Sequence, residues 1–330
     1  MPRLLDIAQR AGVAVSTVSR VLNDSPDARV TDSVRARILA TAEELGYRPN
    51  HFAQALRRGR GSHVTVCIWS QVSHFSARRG SAIPKAAAAA CEAVVTIDAA
   101  YLRPAPERVL ELLLSQLPAA AIFVGGSWRA GAMGEVASEL HARGVHCMLI
   151  DLYGEMDPHV PCDTVRADRV QGSALAVKHL IEQGHRHIGL VSSVRTLGRH
   201  EGYERALAEA GIAQRHVAPL DPYGYDEVLR VERAREATRV LMETHPQVTA
   251  LFCATDVVAL AAIQGLQSLG CRVPEDVAVV GFDNDIWTRC LPVPLTTVEH
   301  PLDAMQQAAR EILRARLHGD DGPWRRTVLD

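Results

Sequence analysis

Apolar residues in the first sixty positions recur at the three- and four-residue spacing of short helices. Leu4, Ile7, Ala8 and Ala11 fall on one face of a helix over residues 4–10. Gly12 then stands where a left-handed C-cap is wanted. The spacing resumes at Val15, Val18, Val21 and Leu22, which predicts a second short helix after a tight turn. Two short helices joined by such a glycine-containing turn form a helix-turn-helix unit. A third helix is predicted from Asp32 through Leu45, stopped by Gly46, with Val34, Ile38, Leu39, Ala42 and Leu45 on one face.

Beyond residue 62 the pattern changes. Short apolar runs at Val64–Trp69, Val94–Asp98, Ala121–Val124, Cys147–Asp151, His187–Ser192, Ala250–Cys253 and Val277–Phe282 read as strands. Helical spacing lies between them, at Glu107–Leu117, Met133–Arg143, Arg169–Gln183, Gly202–Ala210, Glu227–Glu243, Val257–Leu269 and Leu302–Leu317. Strict alternation of this kind predicts parallel sheets with helices on both faces. Roughly ten strands over this length suit two sheets better than one.

Charge sharpens the division. Residues 1–60 hold ten arginines against six acids, whereas the whole chain has a net charge of −2. A basic head on an acidic body suggests that the head meets a polyanion. Small polar residues on the second predicted helix, Ser16-Thr17-Val18-Ser19-Arg20, fit that partner, because hydroxyls bond phosphates or base edges and arginine reads guanine. A generic three-helix bundle would share the spacing but needs no such surface.

Composition excludes other classes. No run of eighteen apolar residues is present, so no membrane span is expected. The N-terminus carries Arg3, Asp6, Gln9 and Arg10 and lacks the apolar core of a secretory signal, which predicts a cytoplasmic protein. The seven cysteines are scattered and form no C-x-x-C pair, so neither a disulfide framework nor a zinc site is expected. His185 and His187 flank Arg186 as a surface feature, and His141 and His146 lack a matching ligand set. No metal and no cofactor is therefore expected.

Long motifs carry a resemblance. Leu5-Asp6-Ile7-Ala8, Ala11-Gly12-Val13, Thr17-Val18-Ser19-Arg20-Val21-Leu22-Asn23 and Glu44-Leu45-Gly46-Tyr47-Arg48-Pro49-Asn50 look like the head of the LacI/GalR family of transcription regulators. Val177–Ile188, Arg199-His200-Glu201-Gly202-Tyr203, Val277–Asn284 and Pro294-Leu295-Thr296-Thr297-Val298 resemble signatures of the same family, so the likeness spans essentially the whole chain. The resemblance implies an all-α helix-turn-helix DNA-binding head plus an α/β periplasmic-binding-protein-like body of two doubly wound parallel-sheet lobes. The head is expected at 1–47, a hinge helix and linker at 48–61, and the effector-binding and dimerisation body at 62–330. Within the body, 62–162 and 299–318 are expected in the N-lobe, and 163–298 and 319–330 in the C-lobe.

Carried over by position, Val15 and Ser16 would be the variable base readers, with Thr17, Ser19 and Arg20 on bases and phosphates. Asn50, Ala53 and Leu56 would meet the minor groove from the hinge, Leu56 as a wedge between base steps. Ala14 departs from the family, which usually has a capping serine there; losing a cap costs ~1 kcal/mol.

Ligands of open α/β sheets sit beyond the carboxyl ends of the strands. That rule, with the resemblance, selects His74, Phe75, Asp151, Arg199, Asp256 and Asp283 as effector contacts, with Ser192, Ser193 and Thr255 nearby. Carboxylates beside an arginine suit hydroxyl-rich ligands such as sugars. Asp283 has a rival reading as a helix cap, Arg199 as a surface salt-bridge partner, and Trp287 as either a stacking platform or a core residue. Thr255 replaces the family's usual asparagine. Gly80 and Pro84 are expected to delay the next helix, leaving His74–Ser81 as a loop whose Arg78 and Arg79 either bind an anionic effector or are simply solvated.

The function that follows is a homodimeric, sequence-specific DNA-binding regulator, most often a repressor in this family, on a pseudo-palindromic operator and controlled by a small carbohydrate-like effector. A carrier-type binding protein or a sugar or nucleoside enzyme on the same fold are the alternatives. The chain has no G-x-G-x-x-G, Walker or G-x-S-x-G motif, which counts against an enzyme.

Overall fold

Among the described residues of the head there are three short helices: α1 (Leu4–Ala11), α2 (Val15–Leu22) and α3 (Asp32–Glu44). The computed structural model describes residues 2–22, 28–47, 63–68, 74–91, 93–98, 106–125, 132–150, 160–193, 197–220 and 227–330. Ile7, Ala8, Ala11, Val18, Val21, Ile38 and Ala42 are buried together between the three helices. Asp6 starts α1 by accepting the Arg3 backbone N–H at 2.7 Å. Gly12 ends it at φ 63°, in the left-handed region that glycine reaches without a steric penalty. Leu39 departs from expectation: it is 48% exposed, because the position after Ile38 is turned about 100° away from the buried stripe.

The chain divides into two units, residues 1–58 and 59–330. The expected hinge, 48–61, lies outside the described residues.

The second unit holds two sheets. The first contains β1 (His63–Ile68), β2 (Ala93–Asp98), β3 (Ala120–Val124), β4 (His146–Ile150), β5 (Asp163–Ala167) and β11 (Arg326–Leu329), in the order β11-β5-β4-β3-β1-β2. The second contains β6 (Ile188–Ser193), β7 (His216–Leu220), β8 (Ala250–Cys253), β9 (Ala278–Phe282) and β10 (Thr296–Val298), in the order β10-β9-β8-β6-β7. Every pairing among the described residues is parallel. In each sheet the first strand lies inside its successor, which places a topological switch point beside β1 and another beside β6.

Helices α4 (His74–Ala88), α5 (Pro106–Gln116), α6 (Ala132–His141) and α11 (Leu302–Leu317) accompany the first sheet. The second sheet has α7 (Arg169–Glu182), α8 (Leu197–Glu209), α9 (Glu227–Thr244) and α10 (Asp256–Ser268). Gly202 lets α8 lie against α7: a Cβ there would stand 2.3 Å from the Val170 carbonyl oxygen. Any larger residue would force the two helices apart.

Two expectations are corrected. Residues 319–330 do not join the second lobe, because β11 pairs in parallel with β5 in the first sheet. Likewise β5 belongs to the first sheet, so the chain leaves that lobe at Asp168, not at 162/163. Arg316 is the physical reason: its guanidinium donates to both Asp163 oxygens at 2.9 Å and to the carbonyls of Asp320, Gly322 and Pro323, folding the C-terminal segment back. Asp168 caps α7, accepting the Gln171 N–H at 2.8 Å.

The second correction concerns His74–Ser81, which belongs to α4 and is not a loop. Arg78 and Arg79 are therefore helical. Pro84 lies inside this helix, where it removes one backbone hydrogen bond at a cost of ~3 kcal/mol. Ile83 and Ala87, buried in the first-lobe core, hold the helix on both sides of it.

Candidate functional site

Among the base readers expected on α2, Val15 is 39% exposed, and Ser16 and Arg20 are exposed as well. Thr17 and Ser19 are half-buried, while Val18 and Val21 point into the core. The helix therefore anchors itself on two valines and turns a polar edge outward. Asn50, Ala53 and Leu56 lie outside the described residues. The Ala14 carbonyl accepts the Thr17 and Val18 N–H groups at 2.9 and 3.1 Å, so Ala14 opens α2 with a methyl group where a capping hydroxyl could sit. Ala14→Ser is expected to stabilise the head by about 0.5–2 kcal/mol, read as a higher midpoint for thermal loss of helix in the isolated residues 1–61.

In the second lobe the structure brings Arg199 and Asp283 together. Arg199 is the third residue of α8, just beyond the carboxyl end of β6, and is 1% exposed. Its Nη2 stands 3.4 Å from Oδ1 of Asp283, which directly follows β9. The Arg199 guanidinium also lies over the Phe282 ring, 4.2 Å from its centroid. Asp283 therefore does not cap a helix. Its φ is +117° and that of Asn284 is +50°, a strained pair of non-glycine residues costing roughly 1–3 kcal/mol each. Strain of this kind persists where the surrounding structure holds it for a purpose.

Sequence reasoning missed a third member. His300 Nε2 is 3.1 Å from the same Asp283 oxygen, and the His300 ring meets Phe282 edge-on at 5.1 Å. Its only trace in the sequence is a position two residues past the Thr296-Thr297-Val298 signature. Asp256, also expected as a contact, is fully buried and braces the loop that follows β9. Its carboxylate accepts the Thr297 hydroxyl at 2.5 Å and the Asp285 N–H at 2.7 Å. Burial, opposed by those two bonds, pushes its pKa up to about 7. Gly281 makes room for it, since a Cβ there would lie 2.3 Å from the carboxylate.

The remaining candidates are placed without being joined to the pair. Thr255 caps α10 through the Val258 N–H at 3.2 Å. Ser192 and Ser193 end β6 and are buried. Trp287 is half-buried in a 3-10 turn, Ile286–Cys290. His74 and Phe75 open α4 beyond β1, at the first sheet's switch point. Asp151 lies outside the described residues.

At the opposite, amino-terminal edge of the second sheet, three imidazoles cluster with tilted rings. His216 is 4.8 Å from His245 and 5.9 Å from His187, between ring centroids. Burial, reinforced by those two neighbours, pushes the His216 pKa below the usual histidine range. Burial does the same to His63, His146, His185 and His200. Below the ordinary value of 6.5 the unfolded chain takes up protons that the folded chain refuses, so stability falls as pH drops through this window. Asp256 acts in the opposite sense, losing stability as pH rises from 3.8 towards about 7. His216→Leu is therefore expected to lose less stability than the parent between pH 7.5 and 5.5 (~2 units, spanning the histidine range), measured by urea unfolding; equal losses would contradict this.

Comparison with known proteins agrees with the division into head and body. Residues 3–50 match the family described as bacterial regulatory proteins, lacI family, and residues 177–330 match the periplasmic binding protein-like domain. Catabolite control protein A of Priestia megaterium is 30% identical over 316 residues, covering 94% of this chain and 91% of that protein. The transcriptional regulator CelR, solved with cellobiose, is 27% identical with a TM-score of 0.68, covering 100% and 97% of the two chains. The Lac repressor dimer bound to operator and an anti-inducer shares the fold, with a TM-score of 0.77 at 23% identity over 99% and 96% of the chains. The chain thus belongs to the LacI family of DNA-binding transcription regulators, not to the carriers or enzymes that share its doubly wound body.

Proposed function

We propose that the chain works as a homodimeric cytoplasmic repressor. Its two heads grip a pseudo-palindromic operator, and a small carbohydrate-like effector held between the lobes sets the strength of that grip. The observation that carries the effector reading is the buried Arg199–Asp283 pair beyond the carboxyl ends of β6 and β9. A guanidinium beside a carboxylate offers fixed donors and acceptors to the hydroxyls of a polyol, each of which can donate and accept. The solved complex of CelR with cellobiose supports a saccharide class. His74 and Phe75 approach from the first lobe in this reading, and Asp151 and Trp287 complete the site.

On the DNA side, Val15, Ser16, Thr17, Ser19 and Arg20 enter the major groove. Asn50, Ala53 and Leu56 lie in the minor groove, with Leu56 kinking the duplex. Closure of the lobes changes the separation of the two hinges, with a coupling of ~1–3 kcal/mol.

A thermal-shift panel of neutral sugars, sugar acids, sugar phosphates and nucleosides tests the effector reading. A ligand at 100 times its dissociation constant adds ~2.7 kcal/mol of stability, and Arg199→Ala should abolish that gain. A panel with no hit among the carbohydrates, or a hit that Arg199→Ala leaves intact, would contradict it. A hit confined to sugar phosphates or acids would bring Arg78 and Arg79 into the site.

A further inference from the structure

His300 joins the two lobes in a way the pocket alone does not require. It sits in the segment 299–301, which leaves β10 in the second lobe and opens α11 in the first. Its ring is buried, 4% exposed, with Nε2 3.1 Å from Asp283 Oδ1. On one side of it in sequence, the Val298 carbonyl accepts the Asp283 N–H at 2.9 Å. On the other, the His300 carbonyl accepts the Leu302 N–H at 2.8 Å, and the Pro301 carbonyl accepts the Met305 N–H at 2.9 Å. Leu302, Met305, Ala309 and Ile312 are then buried among the strands of the first sheet. A path of three contacts therefore runs from the Asp283 carboxylate through the imidazole and the first turn of α11 into the first-lobe core.

We propose that His300 is a positioning residue. It holds the Asp283 carboxylate in place beside Arg199 and transmits any displacement of that carboxylate to the first turn of α11. The purpose of such a link, to report occupancy of the second-lobe site to the first lobe, rests on the effector site proposed above; the link itself does not. For the bond to form, Nε2 must carry the hydrogen, because the carboxylate oxygen can only accept. Glutamine can present an amide N–H near the same point, whereas leucine fills similar volume and donates nothing.

Hydrogen–deuterium exchange of the full-length protein, without ligand or DNA, tests this, with the amides of α3 as internal reference. His300→Leu and Asp283→Ala are each expected to speed exchange at Met305 and Gln306 by about tenfold. His300→Gln should stay near the parent rate, and the His300→Leu/Asp283→Ala double variant should be no faster than either single one. Unchanged exchange in His300→Leu, additive effects in the double variant, or a glutamine variant as fast as the leucine one would each overturn the proposal. A second measurement needs no variant: the ¹⁵N-histidine spectrum of the parent protein should show His300 protonated at Nε2. The Nδ1-protonated tautomer would overturn the bond on which everything else depends. Failure of the carbohydrate panel would strike the effector site while leaving these exchange results unaffected.

Discussion

Asp163→Ala is expected to destabilise the body by about 3–5 kcal/mol. Asp163 and Arg316 are almost completely buried, at 1% and 3% exposure. The guanidinium fork meets both carboxylate oxygens at 2.9 Å, and Oδ1 also accepts the Arg325 N–H at 2.8 Å. Arg316 additionally lies over the Trp324 ring, 5.0 Å from its centroid. Removing the carboxylate leaves a buried cation with backbone carbonyls, the Trp324 ring and a long 4.0 Å ion pair to Asp320, and the Arg325 N–H at the start of β11 loses its acceptor. The penalty is that of an unpaired buried charge, which exceeds the net worth of the intact pair. Urea unfolding followed by tryptophan fluorescence would measure it. Arg316→Ala should cost a similar amount, and the double variant much less than the sum. A loss below ~1 kcal/mol, the range of surface ion pairs, would contradict the assignment.

Arg20→Ala is expected to weaken specific operator binding by ~1–3 kcal/mol, or roughly 5- to 150-fold. Arg20 is exposed at the last turn of α2, on the edge opposite the buried Val18 and Val21. The stability of the head should therefore hardly change while its affinity falls. Fluorescence anisotropy at several salt concentrations separates the two roles open to this arginine. A base contact would reduce the preference for the operator over unrelated duplex, whereas a phosphate contact would lower both affinities together and flatten the salt dependence. Unchanged affinity at every salt concentration would remove Arg20 from the interface.

Legibility in the sequence followed the range of the interactions involved. The head is written in local signals: 3.6-residue spacing, Gly12 and Gly46, and a polar edge on α2. The long helices and the central strands were likewise plain, because burial on both faces makes each such strand an unbroken apolar run. Strands β5, β7, β10 and β11 are not: β10 is only three residues long, and β5, β7 and β11 carry Asp163 and Arg166, Pro219, and Arg326. Such segments become strands through pairing, not composition. The run of α4 through Pro84 needed the burial of Ile83 and Ala87, which no local rule contains.

The site divides in the same way. Asp283 and Arg199 could be placed from the carboxyl-end rule and a family motif. His300 acts through a contact 17 residues away in sequence, and the Asp163–Arg316 pair spans 153. The position of Asp256 after a strand is legible in the sequence, whereas the bonds it accepts from Thr297 and the Asp285 amide are set by packing.

The most direct test of the account is selection of binding sites from a random duplex pool by the full-length protein, followed by sequencing and measurement of the stoichiometry on the enriched site. A two-fold symmetric motif bound by two chains is the predicted result, and it should disappear when Ser16 and Arg20 are both replaced by alanine. A pool that shows no enriched motif, or a motif that survives that double replacement, would contradict the reading of α2 as the element that recognises the operator.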